Sequence, residues 1–143
     1  MNWNGHWQGT NKLWFEPGGE CHQSPISLTA NTVRDQLLEV AYEWQYQNQP
    51  KIGRLMVSLT GNTAAWYDSF HFDSDLWVCD VEQQAEGLNL SGTYPAPPGP
   101  DWGWRITLGK DLGQFLMRMY NITPAGEEAL AVEALLEKKD GDG

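Results

Sequence analysis

Leu38, Val40, Tyr42, Trp44 and Tyr46 occupy every second position of one stretch, with Leu37, Glu39, Ala41, Glu43 and Gln45 between them. A period of two puts each set on its own face of an extended chain. Similar short runs recur along nearly the whole sequence, and this constrains the fold more than any other feature. They cover Trp7 to Phe15, His22 to Thr29, Gly53 to Leu59, Thr63 to His71, Leu76 to Val81, Leu88 to Tyr94, Trp102 to Leu108 and Phe115 to Asn121. Turn-forming residues separate them: Pro17-Gly-Gly, Asn48-Gln-Pro, Thr60-Gly-Asn and the rigid Pro95-Ala-Pro-Pro-Gly-Pro100.

Nine or ten strands of this kind, joined by short turns, close into a barrel or stack as a sandwich. Sequential hairpin spacing favours the barrel. The expected fold is all-β: a single antiparallel up-and-down barrel of about ten strands, with at most a short helical turn near Thr32 to Val40. Residues 1–137 form the barrel domain in this reading, and 138–143 form a disordered tail. The stretch from Gly126 to Lys139 pulls two ways. Its Ala, Leu, Glu and Lys content, after Thr123-Pro124, suits a capped helix. Its alternation of Leu130, Val132, Ala134 and Leu136 against Glu133 and Glu137 suits a strand.

Eight tryptophans lie mostly on these runs, at positions 3, 7, 14, 44, 66, 77, 102 and 104. Each brings a large apolar area and one N–H that needs a partner when buried. They either fill the barrel or line a space within it. Arg105 and Arg118 sit in mid-run among only 9 basic residues. Turned inward, either could receive a carboxylate or phosphate; equally, either could pair with a glutamate such as Glu39, Glu43 or Glu133, inside or outside the wall.

The chain carries 9 basic against 19 acidic residues, a net charge of −10. That opposes binding to nucleic acid or to anionic membrane surfaces, which depends on Lys and Arg. No stretch approaches the roughly 18 apolar residues of a membrane span. The start MNWNGHWQG lacks the basic and apolar segments of a signal peptide, so a cytoplasmic location is the default expectation. Cys21 and Cys79 are too few for a disulfide framework and are expected to be reduced thiols, with one bridge between them as the alternative.

Gly5-His6-Trp7-Gln8-Gly9 resembles the opening G-x-W-x-G strand of calycin-type barrels, the lipocalins, fatty-acid-binding proteins and nitrobindins. Further stretches resemble a bacterial family of uncharacterised proteins, the domain of unknown function 1579. They are Tyr42-Glu-Trp44 with Gly53-Arg-Leu, Trp66-Tyr-Asp68-Ser-Phe-His71, Asp101-Trp-Gly-Trp-Arg105, Met119-Tyr-Asn121-Ile-Thr-Pro124-Ala-Gly126 and Ala131-Val-Glu133-Ala134. The resemblance spans roughly Gly5 to Leu136 and implies a barrel whose last segment is a strand closing onto the first. It implies no activity. Nitrobindins hold haem through a late histidine, whereas the histidines here are His6, His22 and His71, which counts against haem.

No complete catalytic motif is present. Asp68, Ser69 and His71 include the residue types of a hydrolase triad, but one strand turns Asp68 away from the other two. No His, Cys or carboxylate spacing suggests a metal, and no glycine-rich phosphate loop occurs. The leading expectation is a small hydrophobic or aromatic ligand in an aromatic-lined cavity. Its candidate contacts are Trp44, Trp66, His71, Trp102, Trp104, Arg105, Met119, Asn121 and Glu133. Two other readings stand beside it: an isomerase or lyase using His71 and Glu133 as acid and base, and a filled barrel serving as an interaction module, with a homodimer as one form. No cofactor is specified by the sequence.

Overall fold

A computed structural model describes residues 2–71 and 75–139. Ten strands run in chain order: β1 (Gly5–Trp14), β2 (Cys21–Val33), β3 (Leu37–Tyr46), β4 (Gln49–Ser58), β5 (Thr63–Asp68), β6 (Trp77–Gln84), β7 (Gly87–Tyr94), β8 (Trp102–Asp111), β9 (Gln114–Ile122) and β10 (Glu128–Lys138). Each pairs antiparallel with its sequence neighbours, and β1 pairs with β10, so the sheet closes in up-and-down order. No helix occurs among the described residues. The helical turn expected near Thr32 to Val40 is instead a hairpin. Arg34 and Asp35 both take positive φ, 54° and 55°, and Gln36 N donates to Val33 O. Two consecutive positive φ values give the turn whose twist matches the strands it joins. Gln47 with Asn48 and Leu112 with Gly113 repeat the device.

The alternation read from the sequence sets the inner face. Leu38, Val40, Tyr42 and Trp44 of β3 point into the barrel and are buried, as are Leu55 and Val57 of β4 and Ile106 and Leu108 of β8. Phe115, Met117 and Met119 of β9 and Val132, Ala134 and Leu136 of β10 complete the wall. The interior is therefore packed along most of its length.

Pro25 lies within β2, where its missing N–H could have broken a ladder. The β2–β3 ladder stops at Ser27 opposite Glu43, short of Pro25. Past that point Gln45 N donates to Ser24 Oγ instead. The segment with helical composition is β10, registered between β1 and β9 and bulged between Leu130 and Val132. Strand β10 continues through Lys138, and Lys139 N donates to His6 O. These two residues belong to the closing seam rather than to the expected tail, whose residues 140–143 lie outside the described ones.

Candidate functional site

At one end of the barrel the odd-numbered strands finish and the even-numbered strands begin. Trp66 on β5 and Trp77 on β6 are paired neighbours there. Tyr94 ends β7, and Trp104 follows on β8. Asp68 closes β5, and a turn with His71 N donating to Asp68 O brings His71 back over the barrel. Together Trp66, His71, Trp77, Tyr94 and Trp104 line a half-open cavity of about 200 Å³. Trp66 and Trp104 are parallel within 7°, with centroids 5.7 Å apart, while Trp66 and Trp77 meet at 85°. The His71 ring lies 5.4 Å from Trp66 and 5.6 Å from Trp104.

The polar edges of this aromatic wall have different partners. Trp66 Nε1 donates to Tyr42 Oη (2.9 Å), Trp77 Nε1 to Thr93 O (3.1 Å), and Tyr94 Oη to Asn121 Oδ1. Trp104 Nε1 is buried with no hydrogen-bond partner among the described residues. A buried donor left so costs roughly 1–3 kcal/mol, and such exceptions are few enough in native proteins that each calls for a physical reason.

Beside the cavity sits a buried carboxylate. Asp68 is only 2% exposed. Its Oδ2 accepts from Tyr42 Oη (2.7 Å) and Trp44 Nε1 (3.2 Å), and its Oδ1 from Phe70 N (2.8 Å). Gly53 stands opposite both Tyr42 and Asp68 in the sheet, and a Cβ there would lie 1.9 Å from the Tyr42 ring. That glycine lets the phenol lie flat and deliver its hydroxyl to the carboxylate. A void of about 10 Å³, bordered by Asn11, Asp68 and His71, adjoins the cluster. Burial, and secondarily the charge of Asp68, raises the Tyr42 hydroxyl well above its usual range, so Tyr42 stays a donor. Burial pushes the His71 imidazole below its ordinary value of 6.5, with Asp68 pulling part of the way back. His71 is therefore neutral at physiological pH.

The sequence-derived candidates separate on this geometry. Trp66, His71 and Trp104 line the cavity, and Asn121 braces it through Tyr94. Trp44 and Met119 are buried in the barrel beside the small void, where they fill rather than line. Trp102 is half-buried opposite Tyr94 and does not border the cavity. Arg105 faces outward, ion-paired with Glu128, bonded to Asn89 and lying over Tyr120. Glu133 also faces outward, 2.8 Å from Arg118. The physical reason is parity: Trp104, Ile106 and Leu108 take the inner face of β8, and Val132 and Ala134 that of β10.

The His71–Glu133 acid–base pair is thus not assembled. Nor is a triad, because Ser69 Oγ accepts from Ile52 N on the neighbouring strand. Both cysteines are free, and burial pushes the Cys79 thiol up to about 12. No cluster of metal-ligating side chains occurs among the described residues. Sequence reasoning passed over Tyr42, Trp77 and Tyr94, and it set Asp68 aside with the triad. The signal for Asp68 was its parity: it follows Ala64 and Trp66 on an otherwise apolar face.

A larger concavity of about 640 Å³ lies at the opposite end, bordered by Asn2, Asn4, Thr32, Asp35, Gln83 and Gln84 among others. Its tryptophan, Trp3, is buried and packs edge-on to Phe115. That surface combines neither aromatic faces nor perturbed titratable groups, so the aromatic mouth is the better candidate despite its smaller size.

A family model described as "Protein of unknown function (DUF1579)" matches residues 1–138. No curated protein matches the chain. Among solved structures it is similar to the crystal structure of Rv2717c from M. tuberculosis, with a TM-score of 0.63 and 10% sequence identity. That match covers 96% of this chain and 92% of the other. At such identity the likeness speaks for the fold alone.

Proposed function

The chain belongs to the DUF1579 family of proteins of unknown function, and from that premise we propose that it binds a small hydrophobic or aromatic molecule at the aromatic mouth of the barrel. The observation that carries this reading is the cavity itself, with three indoles, a phenol and a neutral imidazole around one space and, in Trp104, a buried indole N–H that has no hydrogen-bond partner among the described residues. Apolar burial supplies the affinity at about 25 cal/mol per Å². A compact ligand burying on the order of 150–250 Å² would gain roughly 4–6 kcal/mol, which corresponds to millimolar to tens of micromolar binding. The space of about 200 Å³ falls below the roughly 300–1,000 Å³ usual for drug-sized ligands. Ligands the size of indole or phenol suit it; bilins, haem and flavins exceed it.

Tryptophan-fluorescence titration tests the reading, because three of the emitters form the wall. Indole or phenol should quench saturably, and Trp104→Ala should weaken the response about tenfold through lost stacking area. Fatty acids, bilins, haem and flavins serve as oversized comparisons. Absence of a saturable response to any compound would overturn the proposal and leave the filled-barrel reading.

A further inference from the structure

We propose that the cavity is an aromatic cage for a small organic ammonium group; this deepens the preceding reading and rests on it. Three observations carry the inference. First, Trp66, Trp77, Tyr94 and Trp104 all border one half-open cavity, with Trp77 edge-on to Trp66 at 85° and Trp104 stacked parallel to it. Aromatic rings around a space offer a cation partly negative π surface, and recognition of quaternary ammonium by aromatic walls is an established use of cation–π attraction.

Second, a buried anion stands behind the wall. The hydrogen bonds run from Trp66 Nε1 to Tyr42 Oη and from Tyr42 Oη to Asp68 Oδ2. Donation by an indole into a chain ending on a carboxylate polarises the ring toward greater electron density. Phe70 N on Oδ1 of the same carboxylate fixes the turn that carries His71. The Asp68 carboxylate biases the cavity toward cations, and the two ionisable side chains in its wall, His71 and Tyr94, are both pushed toward their neutral forms by burial.

Third, no lysine or arginine among the described residues borders the cavity, and several are engaged elsewhere. Arg105 lies over Tyr120 and pairs with Glu128, Arg118 pairs with Glu133, Lys110 and Lys138 lie over Trp7, and Lys51 sits 5.9 Å from Phe70. None of them borders the cavity, so a carboxylate ligand would meet no countercharge there. The net charge of −10 works in the same direction at longer range.

The test compares three molecules of nearly one shape: choline, its neutral isostere 3,3-dimethylbutan-1-ol, and the anion 3,3-dimethylbutanoate. Binding to the wild-type protein is followed by tryptophan fluorescence and calorimetry at low salt. Choline should bind about tenfold tighter than the alcohol, as a desolvated cation–π site allows, and the anion weakest. Asp68→Asn should reduce the preference for choline over the alcohol to within about threefold. Should that variant not fold, Trp77→Leu removes the perpendicular wall and should lower choline affinity more than alcohol affinity.

Competition by phosphatidylcholine vesicles would assign the ammonium to a lipid headgroup; without competition it is a free small molecule. Equal binding of choline and the alcohol, or tighter binding of the anion, overturns the cage while leaving a hydrophobic site intact. If none of the three binds but indole does, the cage again falls alone. If indole also fails to bind, the site reading falls with it.

Discussion

Asp68 accepts from Tyr42, Trp44 and Phe70 while almost wholly buried, so its removal leaves three donors without an acceptor. Asp68→Ala should cost about 3–5 kcal/mol in urea unfolding, a large share of the roughly 5–15 kcal/mol typical of a domain. Tyr42→Phe, which keeps the ring but removes two bonds, the one to Asp68 and the one from Trp66, should cost about 2–3 kcal/mol. Gly53→Ala acts on the same cluster from the opposite strand, since its Cβ would enter the Tyr42 ring. It should shift the indole signals of Trp44 and Trp66 in NMR spectra as Tyr42 is displaced. His71 adds a pH dependence whose sign follows from burial. Its folded value lies below the ordinary 6.5, so the unfolded chain takes up a proton first. Stability is fully present above that ordinary value, declines as pH falls below it, and levels off once folded His71 also protonates. His71→Phe should flatten this part of a thermal-denaturation profile measured against pH. Of these residues, His71 was legible in the sequence as a ligand-contact candidate. Asp68 was visible only as an anomaly of parity, because its partners come from strand β3 and from the turn after β5, which no local pattern joins.

Parity also governs the elements, and β10 shows both its strength and its limits. Local composition favours a helix from Gly126 onward. The strand wins because β1 and β9 would otherwise present open edges, and pairing with both satisfies the backbone on either side. Leu135 and Leu136 separate the two accounts. In the strand Leu136 is fully buried and Leu135 is 44% exposed. Leu136→Ala should cost about 2–5 kcal/mol and Leu135→Ala within about 0.5 kcal/mol, measured as shifts in urea midpoint. A helix core would not separate two adjacent leucines by face in this way. The outward setting of Arg105 follows the same logic but could not be read from sequence, because Trp104 and Ile106 on one side of it and Gly103 and Thr107 on the other left both faces partly apolar. The bulge between Leu130 and Val132 was equally hidden, since an inserted residue shifts parity without leaving a mark in composition.

Closure is the property of the whole molecule on which the mouth depends, since walls drawn from β5, β6, β7 and β8 hold their places only if the ring of strands is complete. The seam joins the two ends of the chain: Gly9 of β1 stands opposite Leu136 of β10. A Cβ on Gly9 would lie 1.9 Å from the Leu135 carbonyl oxygen, a backbone atom that no side-chain rotation can move. The second glycine of the opening motif is therefore a condition for the strands to meet, and that role follows from the barrel rather than from any local turn. Gly9→Val must either push β10 away or break the register. The β1–β10 amides should then lose hydrogen-exchange protection while those of β3 and β4, far around the ring, exchange only through global unfolding. Because this seam pairs the most distant residues in sequence, it should also close late, in a barrel that folds over milliseconds to seconds. In Gly9→Val the unfolding rate should consequently rise while the folding rate changes little, which stopped-flow kinetics in urea can measure. A folding rate that dropped in proportion to the lost stability would instead place the seam in the nucleus, and the mouth would then be organised by closure from the first step.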